Sequence, residues 1–212
     1  MRCSYETCWR QNDGYELQSN STGTTLVLKR RKVFPMFSAR LSLILIHVLG
    51  GISVLASYAL WLFVLSFDGA ALWGDVPSTL QPLYTTNMFL AAGGYFLFAS
   101  LLLFRYPMQP MGPFDYSTLH LVSACILFPS AFWLPLTAAY ISNPNLWIWV
   151  SIRISLFIVG GGSLALMWMI FQIPKEHYLW HRRLALLGGF FFTFQTLLLD
   201  ALIWPIFFPT AH

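Results

Sequence analysis

Five long apolar stretches, separated by short polar gaps, dominate this sequence of 212 residues. A helix that crosses the hydrocarbon core of a bilayer needs about 20 mostly apolar residues, and each stretch is long enough. The stretches cover residues 41–65, 83–104, 117–141, 146–171 and 184–208. Each is continuously apolar, whereas strands of a membrane barrel are about 10 residues long and alternate apolar with polar residues. The sequence therefore predicts an all-α integral membrane protein, a bundle of five transmembrane helices.

Composition excludes several other classes of protein. Hydrophobic residues make up 57% of the chain and charged residues 9%, which leaves too few polar side chains to cover a water-soluble globule. The sequence also lacks a glycine-rich phosphate loop with its lysine and a G-x-S-x-G turn. We expect a multi-pass protein in a membrane that the sequence does not specify, with no nucleic acid as partner.

Lysine and arginine residues alternate between the gaps. The segment before the first stretch holds seven of them, the gap after the second holds Arg105, and the gap after the fourth holds three. The other two gaps and the C-terminal tail hold none, and the twelfth basic residue, Arg153, lies inside a stretch. Because basic loops stay on the cytosolic side, the sequence predicts a cytosolic N-terminus and a C-terminus on the opposite face.

The first 40 residues form a separate polar and basic segment, followed by the transmembrane domain 41–208 and a short tail 209–212. The composition of this N-terminal segment predicts a mobile chain as far as about residue 25. The basic run Lys29, Arg30, Arg31 and Lys32 lies among apolar and aromatic residues next to the first span. Such a run is typical of an anchor on anionic lipid headgroups, and the alternative is a topology signal without a specific lipid.

Paired glycines occur in four of the five spans, and the third span carries Pro129 and Pro135 instead. Inside lipid, helices associate through close packing at small residues. We therefore expect tight helix crossings at these glycines and a kink in the third span, because proline removes a backbone hydrogen bond. The glycines are Gly50 and Gly51, Gly93 and Gly94, Gly160 to Gly162, and Gly188 and Gly189.

Two opposite charges lie inside spans that follow each other in the sequence. With 1.5 Å of rise per residue, Arg153 lies about 10 Å and Asp200 about 12 Å below the outer face. An ionisable group in a membrane is costly unless it is paired or solvated. The sequence therefore predicts an ion pair between Arg153 and Asp200, which is either a structural staple or part of a ligand or ion site.

Other polar residues accompany this predicted pair. Thr193, Thr196 and Asp200 are spaced i, i+3 and i+7, so a regular α-helix would present them on one face. Gln195 lies off that face. Asn87 lies at a comparable depth on the second span, and we include it in the candidate site.

Two histidines lie at a similar depth near the inner face. His47 is six residues into the first span and His120 three residues into the third. Two histidines on different helices at one level are what bis-histidine ligation of haem b requires. The alternative, which we favour because the outer half has no histidine for a second cofactor, is that each is hydrogen-bonded or solvated, with no cofactor and no metal.

Three functions are compatible with these residues. We favour a non-enzymatic membrane component, an accessory or scaffold subunit that works through helix faces with a membrane-protein partner or a second copy. The first alternative is a small transporter or channel that uses the Arg153 and Asp200 site. The second is an intramembrane enzyme that acts on a lipid or hydrophobic metabolite, with Asp200 as its acid or base, or a haem-binding redox protein. Catalysis is disfavoured because the spans contain a single carboxyl group.

Overall fold

The computed structural model describes residues 2–4, 7–9, 15–18, 27–30, 36–105, 115–173 and 179–208. The chain divides into two compact units, Met1–Ala39 and Arg40–His212. In the first unit, two antiparallel pairs of short strands are described, in which Cys3 is opposite Cys8 and Leu17 is opposite Leu28. The strands are β1 (Arg2–Ser4), β2 (Thr7–Trp9), β3 (Tyr15–Gln18) and β4 (Val27–Arg30). The expected mobility of residues 1–25 stays a prediction.

The described residues of the second unit are mostly helical, and five helices are long and apolar enough to span a membrane. This confirms the predicted all-α bundle of five such helices. Two of the helices, α1 and α2, end in a π-helical turn, and the fifth continues from α5 through a long π-helix into a last α-helical turn. The bounds are α1 (Met36–Ala59, then π Leu60–Val64), α2 (Gln81–Ser100, then π Leu101–Arg105), α3 (Tyr116–Ser142), α4 (Leu146–Gln172), and α5 (Leu179–Thr193, then π Phe194–Ile203 and α Trp204–Phe207).

The fifth helix begins at Leu179, whereas the sequence placed Arg182 and Arg183 in the preceding loop. The reason for this error is the environment of Arg182, which is buried although it is charged. Its Nη2 donates a hydrogen bond of 2.8 Å to the carbonyl oxygen of Phe171 at the end of α4. Because a neighbouring helix end binds the guanidinium group, a basic residue is accommodated in the first turn.

Helices α2, α5, α4 and α3 pack side by side in that order. The α2–α5, α5–α4 and α4–α3 pairs are packed closely. Each of these pairs is antiparallel, and α1 contacts both α2 and α3 through side chains. We call the end of the bundle where α1, α3 and α5 begin the near end, and the opposite end the far end.

The predicted glycine crossings are confirmed at one or more glycines of each group. A Cβ atom on Gly188 would lie 2.6 Å from the backbone oxygen of Gly94, so α2 and α5 touch through their backbones. A Cβ atom on Gly160 would lie 2.9 Å from the Cα of Leu197. Gly93, by contrast, has open space around it. Pro129 and Pro135 lie inside the continuous helix α3, and the kink stays a prediction.

The interior contains two separate hydrophobic cores. Phe98 and Ala185 belong to the near-end core, and Tyr84 and Leu199 belong to the far-end core. Buried polar side chains lie along the helices between these two cores. On α2, for example, Asn87 lies between Tyr84 and Phe98. On the fifth helix and α4, the buried polar residues at this junction are Thr193, Gln195, Thr196 and Ser163. The polar layer at this junction contains the candidate site.

Candidate functional site

A chain of hydrogen bonds connects α2 to the carboxyl group of Asp200. Asn87 Nδ2 donates to Gln195 Oε1 at 3.0 Å, and Gln195 Nε2 donates to Asp200 Oδ1 at 2.8 Å. Asn87 also donates to the carbonyl oxygen of Phe191 at 3.2 Å. Asn87 and Gln195 are buried, while Asp200 keeps part of its surface accessible. The carboxyl group is therefore held by two neutral amides in series.

The π-helix explains why Gln195 belongs to this site. Residues five apart point about 140° away from each other on an α-helix, which is why Gln195 was expected off the Asp200 face. In the π-helix Phe194–Ile203, backbone bonds join residues i and i+5, as the N–H of Trp204 does to Leu199. Gln195 and Asp200 have this same offset, so the expectation for Gln195 was wrong.

The expected ion pair between Arg153 and Asp200 is not formed in the part of the chain that the structure describes. Arg153 Nη1 instead donates a hydrogen bond of 2.9 Å to the carbonyl oxygen of Ala201. In an α-helix that oxygen would accept from the N–H of residue 205, which is a proline and has none. Arg153 therefore binds the backbone of the fifth helix, and the carboxylate accepts its hydrogen bond from Gln195.

Two tyrosines that the sequence analysis did not select lie near Asp200. Tyr84 OH on α2 donates to the carbonyl oxygen of Leu199 at 3.0 Å. Both Tyr84 and Tyr58 of α1 are close enough to the Asp200 carboxylate to interact with it electrostatically. Tyr84 precedes Asn87 by three residues, so a shared helix face was a usable signal for it. Tyr58 had no such signal, since it depends on how α1 lies against the bundle.

The two predicted threonines do not join the carboxyl group. Thr196 Oγ1 donates to Phe192 O at 2.9 Å and lies 2.9 Å from Ser163 Oγ on α4, so it connects two helices. Thr193 is buried, and its Oγ1 has no hydrogen-bond partner in the described chain. The π-helix changes the angular relation of both threonines to Asp200. The site is therefore made of Asn87, Gln195 and Asp200, with Tyr58 and Tyr84 nearby.

The histidines occupy two separate hydrogen-bonded pairs. His47 Nδ1 lies 2.8 Å from Tyr95 OH on α2, and His120 Nε2 lies 2.8 Å from Ser42 Oγ on α1. For haem, each histidine would need to turn one ring nitrogen toward the same iron. Here His120 directs Nε2 to a hydroxyl group, and His47 has only its buried Nε2 without a hydrogen bond. The hydrogen bonds therefore favour the alternative in which each histidine has its own partner.

The basic residues that are predicted to bind anionic lipid headgroups lie partly outside the described residues. Arg31 and Lys32 are among those outside, and Lys29 and Arg30 are described only as backbone of β4. The anchor on anionic headgroups stays a prediction. Across the described ranges, no group of three or more His, Cys, Asp or Glu side chains is arranged to hold a metal ion.

Comparisons of the chain with models of protein families, with curated proteins and with solved structures found no match.

Proposed function

We propose that the protein is a non-enzymatic multi-pass membrane protein that exchanges a proton or a small cation at Asp200, as a small transporter or channel does. The observation that carries this proposal is a carboxyl group inside the bundle whose hydrogen-bond partner is a neutral amide. Within the described residues, no lysine or arginine forms a salt bridge with it. A charge inside a membrane costs several kcal/mol unless something compensates it, so this carboxyl group requires a proton or a cation.

The surroundings of Asp200 support exchange rather than a fixed charge state. The amide of Gln195 can donate a hydrogen bond to the carboxyl group whether it is protonated or ionised. The titratable groups that interact electrostatically with the carboxyl group are Tyr58 from α1 and Tyr84 from α2. Arg153 binds the carbonyl next to Asp200 and does not neutralise it. An exchange site is therefore better supported than the structural staple.

Catalysis has less support from the same geometry. General acid and base steps on one substrate require groups positioned to give and take protons. Among the described residues, the groups that interact with the Asp200 carboxyl are amide and phenol groups, with no second carboxyl group. We therefore rank an intramembrane enzyme behind the transporter.

The first experiment measures ion flux into liposomes that contain the purified full-length protein. A membrane potential drives the flux, and internal dyes report protons, Na⁺ and K⁺ separately. We expect Asp200→Asn to lower the flux of the transported ion at least tenfold. Asp75→Asn is the matched control, because Asp75 is an exposed aspartate between the first two spans. Flux in the Asp200→Asn protein equal to that of wild type, or no flux of any of these ions in wild type, contradicts the proposal.

A second candidate function, an accessory subunit, is favoured by the packing of α1. The most apolar part of this helix is 11% buried, compared with 33% to 39% for the other four spans. Leu49, Leu55 and Phe63 are among its exposed side chains. Cysteines at these positions, crosslinked in native membranes, should capture another chain if α1 is an interface. Reaction of all three with lipid-soluble reagents alone would instead show that α1 faces lipid.

A further inference from the structure

We propose that Arg153 is a positioning residue for Asp200. Its guanidinium group binds the carbonyl oxygen of Ala201, the residue directly after Asp200. It thereby holds the π-helical register in which Gln195 reaches Asp200. This inference rests on the proposed function of Asp200. It goes beyond that proposal by assigning Arg153 a role that acts through the backbone.

The position of the two cross-helix hydrogen bonds supports this role. Arg153 of α4 binds the carbonyl oxygen of Ala201 at 2.9 Å, and Tyr84 of α2 binds that of Leu199 at 3.0 Å. These are the residues directly before and after Asp200. The backbone on both sides of the carboxyl group is therefore fixed by neighbouring helices.

A π-helix needs such support. Most π-helical segments are single turns, whereas this one has ten residues, Phe194–Ile203. If the segment rewound as an α-helix, Gln195 and Asp200 would turn about 140° apart and their hydrogen bond would break. A charged donor binds a carbonyl oxygen more strongly than a neutral one. Arg153 is therefore the stronger of the two anchors.

The chemistry of arginine suits this position. Its guanidinium group stays charged, offers five N–H donors and has no acceptor. Its central carbon also lies 5.0 Å from the ring centroid of Phe157, one turn along α4, so the aromatic face orients the group. Methionine at position 153 would keep an aliphatic stem of similar shape without a donor. Lysine would keep a charged donor.

The experiment compares Arg153→Met and Arg153→Lys with wild type in lipid nanodiscs. Amide hydrogen exchange in residues 199–206 reports the π-helix, and the rate at which a hydrophobic carbodiimide modifies Asp200 reports the carboxyl group. We expect Arg153→Met to speed the exchange about tenfold or more, because a hydrogen bond to a charged group is lost. We also expect it to change the rate of Asp200 modification. Arg153→Lys should restore both values toward wild type. Unchanged exchange and modification in Arg153→Met would overturn the inference.

Two further variants keep the result decisive. If Arg153→Met does not fold, Tyr84→Phe removes the donor to Leu199 while keeping the ring, and we expect the same changes at smaller size. The absence of any change in that variant would then count against the inference. Loss of ion flux in Arg153→Met, with unchanged amide exchange and unchanged modification of Asp200, would mean that Arg153 acts through its charge. That result would also overturn the proposal that Arg153 positions Asp200. Asp200→Asn separates the two proposals. Unaltered flux in Asp200→Asn would end the transporter proposal. Amide exchange and carbodiimide modification in the Arg153 variants would still decide the role of Arg153.

Discussion

Helix α2 packs against two neighbours in different ways. Against α5 it makes a backbone contact at Gly94 and Gly188, and an amide pair, Asn87 and Gln195, lies further along the same interface. Against α1 it makes a side-chain hydrogen bond between Tyr95 and His47. A backbone contact fixes the position of a helix, whereas a contact through side chains leaves the helix more freedom to move. The candidate site lies on the α5 side, where its geometry is best fixed.

The burial of α1 shows the same difference. The most apolar part of α1 is 11% buried, compared with 39% for α2. The atoms nearest to a Cβ on Gly50 all belong to the side chain of Leu127 on α3, from its Cβ at 2.8 Å to its more mobile Cδ1 at 2.9 Å. The atoms nearest to a Cβ on Gly188 belong to backbone, which cannot move without shifting a helix. The contribution of α1 to the site is Tyr58, so that residue depends on the less tightly packed helix.

The largest expected effect comes from adding one methyl group to the α2–α5 crossing. We expect Gly188→Ala to lower the free energy of unfolding by about 1–3 kcal/mol, because overpacking forces the helices apart. Gly93→Ala is the matched control, since a Cβ there meets open space. Unfolding of both variants in detergent, followed by circular dichroism, gives the difference. Equal stability of the two variants would show that the α2–α5 contact is not the rigid one.

A smaller effect is expected from breaking the α1–α2 hydrogen bond. We expect His47→Phe to lower the free energy of unfolding by about 0.5–1.5 kcal/mol, which is typical of one hydrogen bond. Tyr95→Phe removes the same bond from its other end and should give a similar value. The same unfolding assay measures both. If His47→Phe costs more than Gly188→Ala, the ranking of the two interfaces is reversed.

Much of the fold could be predicted from the sequence. Continuous apolar stretches and glycine pairs are local signals, and they located the five helices and glycines at which the helices pack closely. Asn87 and Asp200, which were both selected from the sequence, are connected through Gln195. The start of the fifth helix was missed, because the burial of Arg182 depends on the end of α4, a contact that no local pattern reveals.

The errors at the site have one physical origin, which is the assumption of regular α-helical geometry. On an α-helix with 3.6 residues per turn, Gln195 would point away from Asp200, whereas Thr193 and Thr196 would lie on the same face as Asp200. Pro205 was the available signal, because proline removes a backbone donor and membrane helices adjust to such prolines through π turns. The partner of Arg153 is a backbone carbonyl oxygen, that of Ala201, and not the carboxylate of Asp200.

Depth in the membrane was also an incomplete guide. His47 and His120 were expected at one level, yet each has its own hydroxyl partner. Asn87 and Asp200 were also expected at similar depth, and they are connected through Gln195. Depth follows from counting residues, whereas a site also requires the side chains to share an interface, which depends on how each helix is rotated.

The most direct measurement of the central claim is the infrared difference spectrum of the protein between acidic and alkaline buffer, in lipid, for wild type and Asp200→Asn. Protonated and ionised carboxyl groups absorb at different frequencies, so the variant identifies the signal of Asp200. We expect a carboxyl signal that changes reversibly with pH, or with an added small cation, and that is absent in Asp200→Asn. A wild-type spectrum in which no such signal is lost in the variant would contradict an exchangeable carboxyl group at Asp200.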